Sequence, residues 1–316
     1  MADLICISLQ TMQQVPTPEA TVLCLGNFDG VHLAHRQLMK AACDMRDQLP
    51  TPAASGVFCF QIPSSNYLFA DPPAQLCSLE QKLHRFRDCG IEYAFLVDFP
   101  SVKELSPEEF VSEILLKKCH CRGAVCGFNY RFGKYGAGMP LQLKALLGHP
   151  VEICSEVFLE GETVSSTRIR RLLAEGRIEQ ANRLLTVPYG ITATVLHGKA
   201  LGRQWGFPTV NQQFPQGVQI PKHGVYLSVC TVDGVSYGGV SNIGSRPTVE
   251  NKAAVNCETY LLDFSGDLYG KELTVSFLKF IRPEQHFDSV AELKAQIQAD
   301  VTTAKGYFQA DYVQKT

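Results

Sequence analysis

The chain has 316 residues, enough for two domains of ordinary size, with 45% hydrophobic and 19% charged residues, the balance of a globular chain. A formal net charge of -2 gives no basic excess. Nucleic-acid binding is therefore not expected, and any anion must be held by local geometry.

No apolar run approaches the ~20 residues of a membrane helix, and the first residues lack the basic-then-apolar pattern of a signal peptide. A cytoplasmic protein with no membrane partner is expected. The 12 cysteines are scattered, with no CxxC pair. Cys24, Cys59, Cys126, Cys230 and Cys257 fall in apolar strand-like runs, where cysteine acts as a small hydrophobe. Cys119-His120-Cys121 has the look of half a metal site, but no second half is evident, which favours reduced structural thiols.

In chain order, Thr21 to Gly26 reads as a strand, His35 to Leu49 as a helix, and Gly56 to Gln61 as a strand. Ser78 to Cys89 has helical periodicity, and Ile91 to Phe99 is strand-like. Ser106-Pro107-Glu108-Glu109 opens a helix with a capping box and proline at its first position. Arg122 to Gly127 and Val151 to Phe158 read as strands, with a helix from Leu141 to Leu147 between them. This alternation predicts an α/β fold, a Rossmann-like domain with a parallel sheet and ligands at the carboxyl ends of its strands. After Pro188 the texture changes. Strand-like runs at Gly190 to His197, Gly224 to Val232, Val235 to Asn242, Val255 to Phe264 and Glu272 to Ile281 predict an antiparallel β-barrel, followed by a helix from Ser289 to Lys305. Domains of residues 1–186 and 187–316 are expected.

His32 and His35 lie three apart after the first strand, behind a turn-like Gly26-Asn27-Phe28-Asp29-Gly30. A helix beginning there puts both imidazoles on one face beside an anion-favouring N-terminus. Either histidine alone reads equally well as a cap, whereas the pair at this place in a β/α domain points to a phosphate. Ser165-Ser166-Thr167-Arg168 offers N-cap hydroxyls and a guanidinium, though an ordinary capped surface helix fits as well. Gly127 to Lys134 fails as a P-loop, because the glycine spacing is wrong and Tyr135 stands where Ser or Thr is required. In the second domain, Gly198 to Arg203 is a glycine loop leading into Gly206-Phe207-Pro208-Thr209-Val210-Asn211. Thr209 and Asn211, if extended, point the same way and can hold Mg²⁺ or its waters. Glu258, in a strand, can deprotonate a hydroxyl, although by pattern alone a polar barrel rim explains these residues better.

Together these segments resemble the bacterial bifunctional riboflavin kinase/FAD synthetase family over nearly the whole chain. Gly26 to His35 resembles its HxGH-type signature, Gly127 to Gly133 and Ser165 to Arg170 its later adenylyltransferase motifs, and Gly206 to Asn211 its GFPTxN motif. Gly224-Val225-Tyr226, Asn242 to Thr248 and Glu258 to Gly270 match the rest of the kinase module. The resemblance implies two reactions: riboflavin and ATP give FMN in the barrel, and FMN and ATP give FAD and pyrophosphate in the first domain. It implies that His32 and His35 are catalytic for adenylyl transfer and Glu258 for phosphorylation. It implies ATP contacts at Gly26, Asn27, Phe28, Asp29, Asn129, Ser165, Ser166, Thr167, Arg168, Gly198, Gly202 and Arg203. Flavin contacts are implied at Phe60, Gly224, Val225, Tyr226, Arg246 and Tyr260, and Mg²⁺ at Thr209 and Asn211. The chain departs from the family at Ala34, where the signature has glycine, at Phe60-Gln61-Ile62-Pro63-Ser64, which lacks the family's histidine, and at Leu201 in the glycine loop. A riboflavin kinase with a weak or specialised first domain, and a non-catalytic flavin or nucleotide sensor, are the alternative readings. A pure binder has no need of Glu258.

Overall fold

The computed structural model describes residues 4–9, 17–198, 202, 206–245 and 255–311. Its contacts divide the chain into two compact units, Met1–Ser166 and Thr167–Thr316.

The first unit is built on a six-stranded parallel sheet: β1 (Ile5–Ser8), β2 (Thr21–Leu25), β3 (Ala54–Phe60), β4 (Tyr93–Val97), β5 (Cys121–Gly127) and β6 (Val151–Cys154), in the order β1-β4-β3-β2-β5-β6. Every residue of β2 is buried, because helices cover both faces. Leu23 and Leu25 pack with Phe58, Phe95, Phe110 and Leu143 on one side. Val22 and Cys24 pack with Val57, Leu38, Met39 and Phe86 on the other. This period-2 division is what a fully buried strand requires. The helices Leu33–Gln48 and Leu79–Asp88 supply the second side, and Pro140–Leu147 and a π-helical stretch Phe110–Lys118 the first. Ser78 and Gln81 form a capping box, as do Ser106 and Glu109. From β2 the chain runs outward to β3 and β4 on one side, then crosses back to β5 on the other. The crevice at the carboxyl ends of β2 and β5 is therefore the topological switch point.

Several expected features differ in extent. β1 adds a sixth strand at the sheet edge, where only four residues, two of them exposed, gave no pattern to read. The fifth expected strand stops at Cys154, and a small hairpin of β7 (Phe158–Leu159) and β8 (Glu162–Thr163) follows. Cys119 and Cys121 are core residues, and His120 Nδ1 lies 2.8 Å from the Pro18 carbonyl. Among the described residues no cluster of His, Cys, Asp and Glu can hold a metal, so Cys119-His120-Cys121 is packing. Burial pushes the Cys121, Cys126 and Cys257 thiols up to about 12, and none of the twelve cysteines is in a disulfide.

The second unit is an antiparallel barrel with strands β9 (Gly190–Thr194), β10 (Thr209–Gln213), β11 (Gly224–Val232), β12 (Val235–Ser245), β13 (Val255–Leu261) and β14 (Glu272–Arg282), in the order β10-β13-β12-β11-β14-β9. Its seam closes by a bridge between Leu196 and Asn211, and by Gln212, whose buried amide donates to the Ala193 and Leu273 carbonyls at 2.6 and 2.7 Å. Inside, Ser241 links Ser228 and Thr259 through hydroxyl hydrogen bonds of 2.7 and 2.8 Å, so these buried polar groups are satisfied. The helix Val290–Asp311 covers the outside against Val225, Leu227 and Val240. Arg282 grips Asp300 through Nε and Nη2, at 3.1 and 2.8 Å, and the pair is nearly buried.

The helices Ser166–Glu175 and Ile178–Leu185 precede the barrel, and the second was not anticipated from sequence. Lys222 N donates to the Leu173 carbonyl, Asn182 Nδ2 donates to the Phe277 carbonyl, and Asn182 Oδ1 accepts from Tyr189 N. All but one residue of these helices cluster with the barrel unit, so the compact units divide earlier than the change of texture near Pro188. A chain beginning at Thr167 is accordingly expected to unfold at higher urea than one beginning at residue 187. The shorter chain loses Leu172, Leu173, Ile178 and Leu184 as buried side chains, at least about 6 kcal/mol in sum. Equal urea midpoints would show that these helices add nothing to the barrel.

Candidate active sites

The first site lies at the switch point of the parallel sheet. After Leu25 the backbone turns through left-handed conformations at Phe28 (φ 51°), Gly30 (φ 79°) and Val31 (φ 42°), strained for Phe and Val. Surrounding bonds hold it there. Asp29 Oδ1 accepts from Leu76 N at 2.9 Å, Arg85 donates to the Gly30 carbonyl at 2.8 Å, and Ser166 Oγ donates to the Asp29 carbonyl at 2.9 Å. The Phe28 ring is buried between Phe86 and His35, edge-on to each. His32 then occupies the N-cap position of the helix Leu33–Gln48 without a side-chain capping bond, and His35 follows in its first turn.

The two imidazoles stack, with centroids 3.6 Å apart and planes 14° from parallel. His32 is 5% exposed, and Nδ1 of each ring is buried without a hydrogen-bond partner among the described residues. Burial drives the His32 pKa from 6.5 down to about 4. Burial first, then the neighbouring His32 and Lys82 charges, holds His35 well below the usual histidine range. Both rings are thus neutral at pH 7, and so close a pair accepts one proton far more readily than two.

They open into a cavity of about 1170 Å³ within the first unit. Gly26, Asn27, Phe60, Asn129, Ser165 and Ser166 also line it. Of the expected residues here, Phe28 and Asp29 shape the loop rather than line the cavity. Thr167 and Arg168 fall in the second compact unit. Ala34 lines the cavity from helical backbone, where alanine carries no strain. Sequence reading missed the aromatic wall: Phe99 is perpendicular to Phe60 at 5.3 Å and stacks on Tyr67 at 5.7 Å. The position of Phe99, two residues past β4, was the available signal.

The second site lies on the outer face of the barrel, where strand register assembles it. Asn211 of β10 stands opposite Glu258 of β13, which stands opposite Asn242 of β12. Thr209 pairs with Tyr260 one step along the same face. Asn211 Nδ2 lies 3.3 Å from Thr209 Oγ1. Gly198 packs so tightly on Asn211 that a Cβ there would lie 2.9 Å from its amide, and Gly202 accepts the Phe207 N–H through its carbonyl at 2.8 Å. Thr209, Asn211, Glu258, Gly198 and Gly202 are thereby brought together. Arg203 and Arg246 lie outside the described residues. Gly224, Val225 and Tyr226 are buried: Val225 beneath the last helix, and Tyr226 against Phe277 and Phe280 with its hydroxyl on the Lys222 carbonyl. Tyr260 is half-buried and edge-on to Phe207 at 5.5 Å. Asn242 opens one of the matched motifs but was given no role there, and His197, next to Gly198 and stacked on Tyr269 at 3.9 Å, lies outside the motifs.

A Rossmann-like domain with a histidine pair at its switch point, joined in sequence to a small barrel with a Thr-Asn-Glu face, defines a two-module nucleotide-handling chain. Residues 14–168 match the FAD synthetase family and residues 185–308 the riboflavin kinase family. The chain is 38% identical to the bifunctional riboflavin kinase/FMN adenylyltransferase of Escherichia coli K12, covering 95% of this chain and 96% of that one. It is 35% identical to that of Listeria monocytogenes, with 91% and 92% covered. A crystal structure described as a macrolide-efflux protein from Streptococcus pneumoniae shares the fold, with a TM-score of 0.86, 28% identity, and 96% and 99% of the two chains covered. Among the described residues no helix is long and apolar enough to cross a membrane. The chain belongs to the bifunctional riboflavin kinase/FMN adenylyltransferase family.

The depressed histidines also set a pH dependence. His32 titrates near 4 when folded and near 6.5 when unfolded, so the unfolded chain binds more protons between those values. Its contribution is present above about 6.5 and is lost as pH falls towards 4. The first unit is expected to lose a few kcal/mol over that window, and His32→Gln to flatten the loss. Urea titrations of wild type and variant at several pH values would show this, and identical pH slopes would contradict it.

Proposed function

We propose that this chain phosphorylates riboflavin to FMN on the barrel face and adenylylates FMN to FAD in the switch-point cavity, using the two residue sets just described. The observation that carries the reading is the stacked, neutral pair His32 and His35 at the carboxyl end of β2, in a chain of this family.

In adenylyl transfer an FMN phosphate oxygen attacks the α-phosphorus of ATP. The new P–O bond forms as the bond to pyrophosphate breaks, without a covalent enzyme intermediate. A neutral imidazole donates one N–H, and the negative charge gathering on the phosphate strengthens that bond in the transition state. The Ser165 hydroxyl and Asn129 line the same cavity and would hold phosphates and substrate, while Ser166, whose hydroxyl donates to the Asp29 carbonyl, would hold the loop beside them. Phe60, with Phe99 and Tyr67 beside it, offers aromatic surface for the flavin ring.

In phosphorylation a ribityl hydroxyl attacks the γ-phosphorus, ADP leaves, and Glu258 takes the proton. Both reactions use ATP and call for a divalent cation. Thr209 and Asn211 offer the neutral oxygen donors that suit Mg²⁺, beside the Glu258 carboxylate, and would hold it. Bound there, Mg²⁺ would neutralise phosphate charge. The twelve free thiols support a reducing, cytoplasmic setting. The sensor alternative is disfavoured by Glu258, which stands cross-strand from Asn211 on the ligand face.

Glu258→Gln is expected to slow FMN formation by about 10²–10⁴-fold and to leave conversion of FMN to FAD intact, as chromatographic separation of FMN from FAD would show. Parallel loss of both activities in a folded variant would refute separate sites. His32→Ala and His35→Ala should depress FAD formation more in kcat than in the KM for ATP, since the contact matters most in the transition state. Wild-type rates in both would overturn the assignment. Ala34→Gly tests the departure from the family: it enlarges the cavity beside the pair at a helix cost of about 1 kcal/mol. A faster FAD-forming rate is expected, and a slower one would mean that the site has adapted to alanine.

A further inference from the structure

Lys82 is the most deeply buried lysine of the first unit, 4% exposed, on the inner side of the helix Leu79–Asp88. A buried ammonium is expensive unless something requires it. Among the described residues no carboxylate forms an ion pair with it. Its Nζ donates instead to the Asn27 carbonyl at 3.0 Å, in the loop that leaves β2. One turn further along the same helix, Arg85 donates to the Gly30 carbonyl at 2.8 Å. Two cations on one helix thus tie back two carbonyls of one loop. In a trans peptide the C=O and the following N–H point in opposite directions. Holding the Asn27 carbonyl on Lys82 therefore turns the Phe28 N–H to the opposite side. Asn27 lines the cavity, whereas Lys82 does not.

We propose that Lys82 is a positioning residue for adenylyl transfer: from behind the Gly26–Gly30 loop it draws the Asn27 carbonyl out of the phosphate path and fixes the turn that delivers His32 and His35. The inference rests on the assignment of that pair to the transferring phosphate. Carbonyl oxygen facing a phosphate would repel it, and a loop edge stripped of carbonyls and backed by an ammonium attracts it. The charged or titratable groups acting on His35 are His32, on its own helix, and Lys82, across the loop. Lys82 thus also disfavours a second proton on the pair.

The test compares Lys82→Met, Lys82→Gln and Lys82→Arg in the full chain. Each is assayed for FAD formation from FMN and ATP and for FMN formation from riboflavin, and the His35 imidazole is titrated by NMR. Lys82→Met is expected to lower kcat for FAD formation by about 10- to 100-fold, with a smaller change in KM for ATP and unchanged FMN formation. Lys82→Arg should recover most of the rate, and His35 should titrate at higher pH in Lys82→Met than in wild type. If Lys82→Met fails to fold, Lys82→Gln, which keeps a donor and loses the charge, carries the same comparison. Full FAD-forming activity without the lysine, equal loss of both activities, or an arginine variant no better than methionine would overturn the proposal. If Lys82→Met is harmless while His35→Ala is impaired, only the lysine inference falls. If His35→Ala keeps the wild-type rate, the histidine assignment falls with it.

Discussion

The first unit depends on one constrained turn. Three residues after β2 hold left-handed backbone, and two of them carry side chains that resist it. Such a turn persists only where its surroundings over-determine it. Here Leu76, Lys82, Arg85 and Ser166 bind it from outside, and the Phe28 ring anchors it from inside. The result is a helix start whose first turn carries two stacked imidazoles. Their neutrality is a consequence of the same packing, since the burial that fixes the rings also withholds their protons.

The barrel solves a different problem. Its polar outer face is assembled by register across three strands, Asn211 to Glu258 to Asn242, rather than by a strained turn. A slip of one residue would send these side chains inside and bring Cys257, Thr259 and Gln212 out. The buried hydroxyls of Ser228, Ser241 and Thr259 guard against that slip, because they satisfy one another only in the observed register.

Much of this was legible in the sequence where pattern and chemistry coincide. The apolar strand β2, the Ser106 capping box and the length of β11 follow from residue type at known spacing. So does the histidine pair, once placed after a strand. What escaped reading was set by tertiary context. β1 is four residues long, and β10 is a polar TVNQQ whose strand character comes from its partner β13. Lys82 sits in a helix where lysine ordinarily marks a solvated face, and only the fold shows that it is buried beneath the loop. Val225 and Tyr226, read as flavin contacts, are core residues, because alternation along β11 places one beneath the final helix and the other against Phe277.

The two sheets also differ in when their strands become available on the ribosome. The parallel sheet is complete once Cys154 has emerged, and both neighbours of its central strand are present by Gly127. In the barrel, the ladder of β9 is formed with β14, Gly190 opposite Ser276, so the strand made first waits for the strand made last. Closing so long a loop is slow, and the barrel forms late and as a whole. A nascent chain therefore acquires its switch-point cavity before its barrel face. On the proposed assignment of the two reactions, an interrupted chain carries the later step of the flavin pathway without the earlier one.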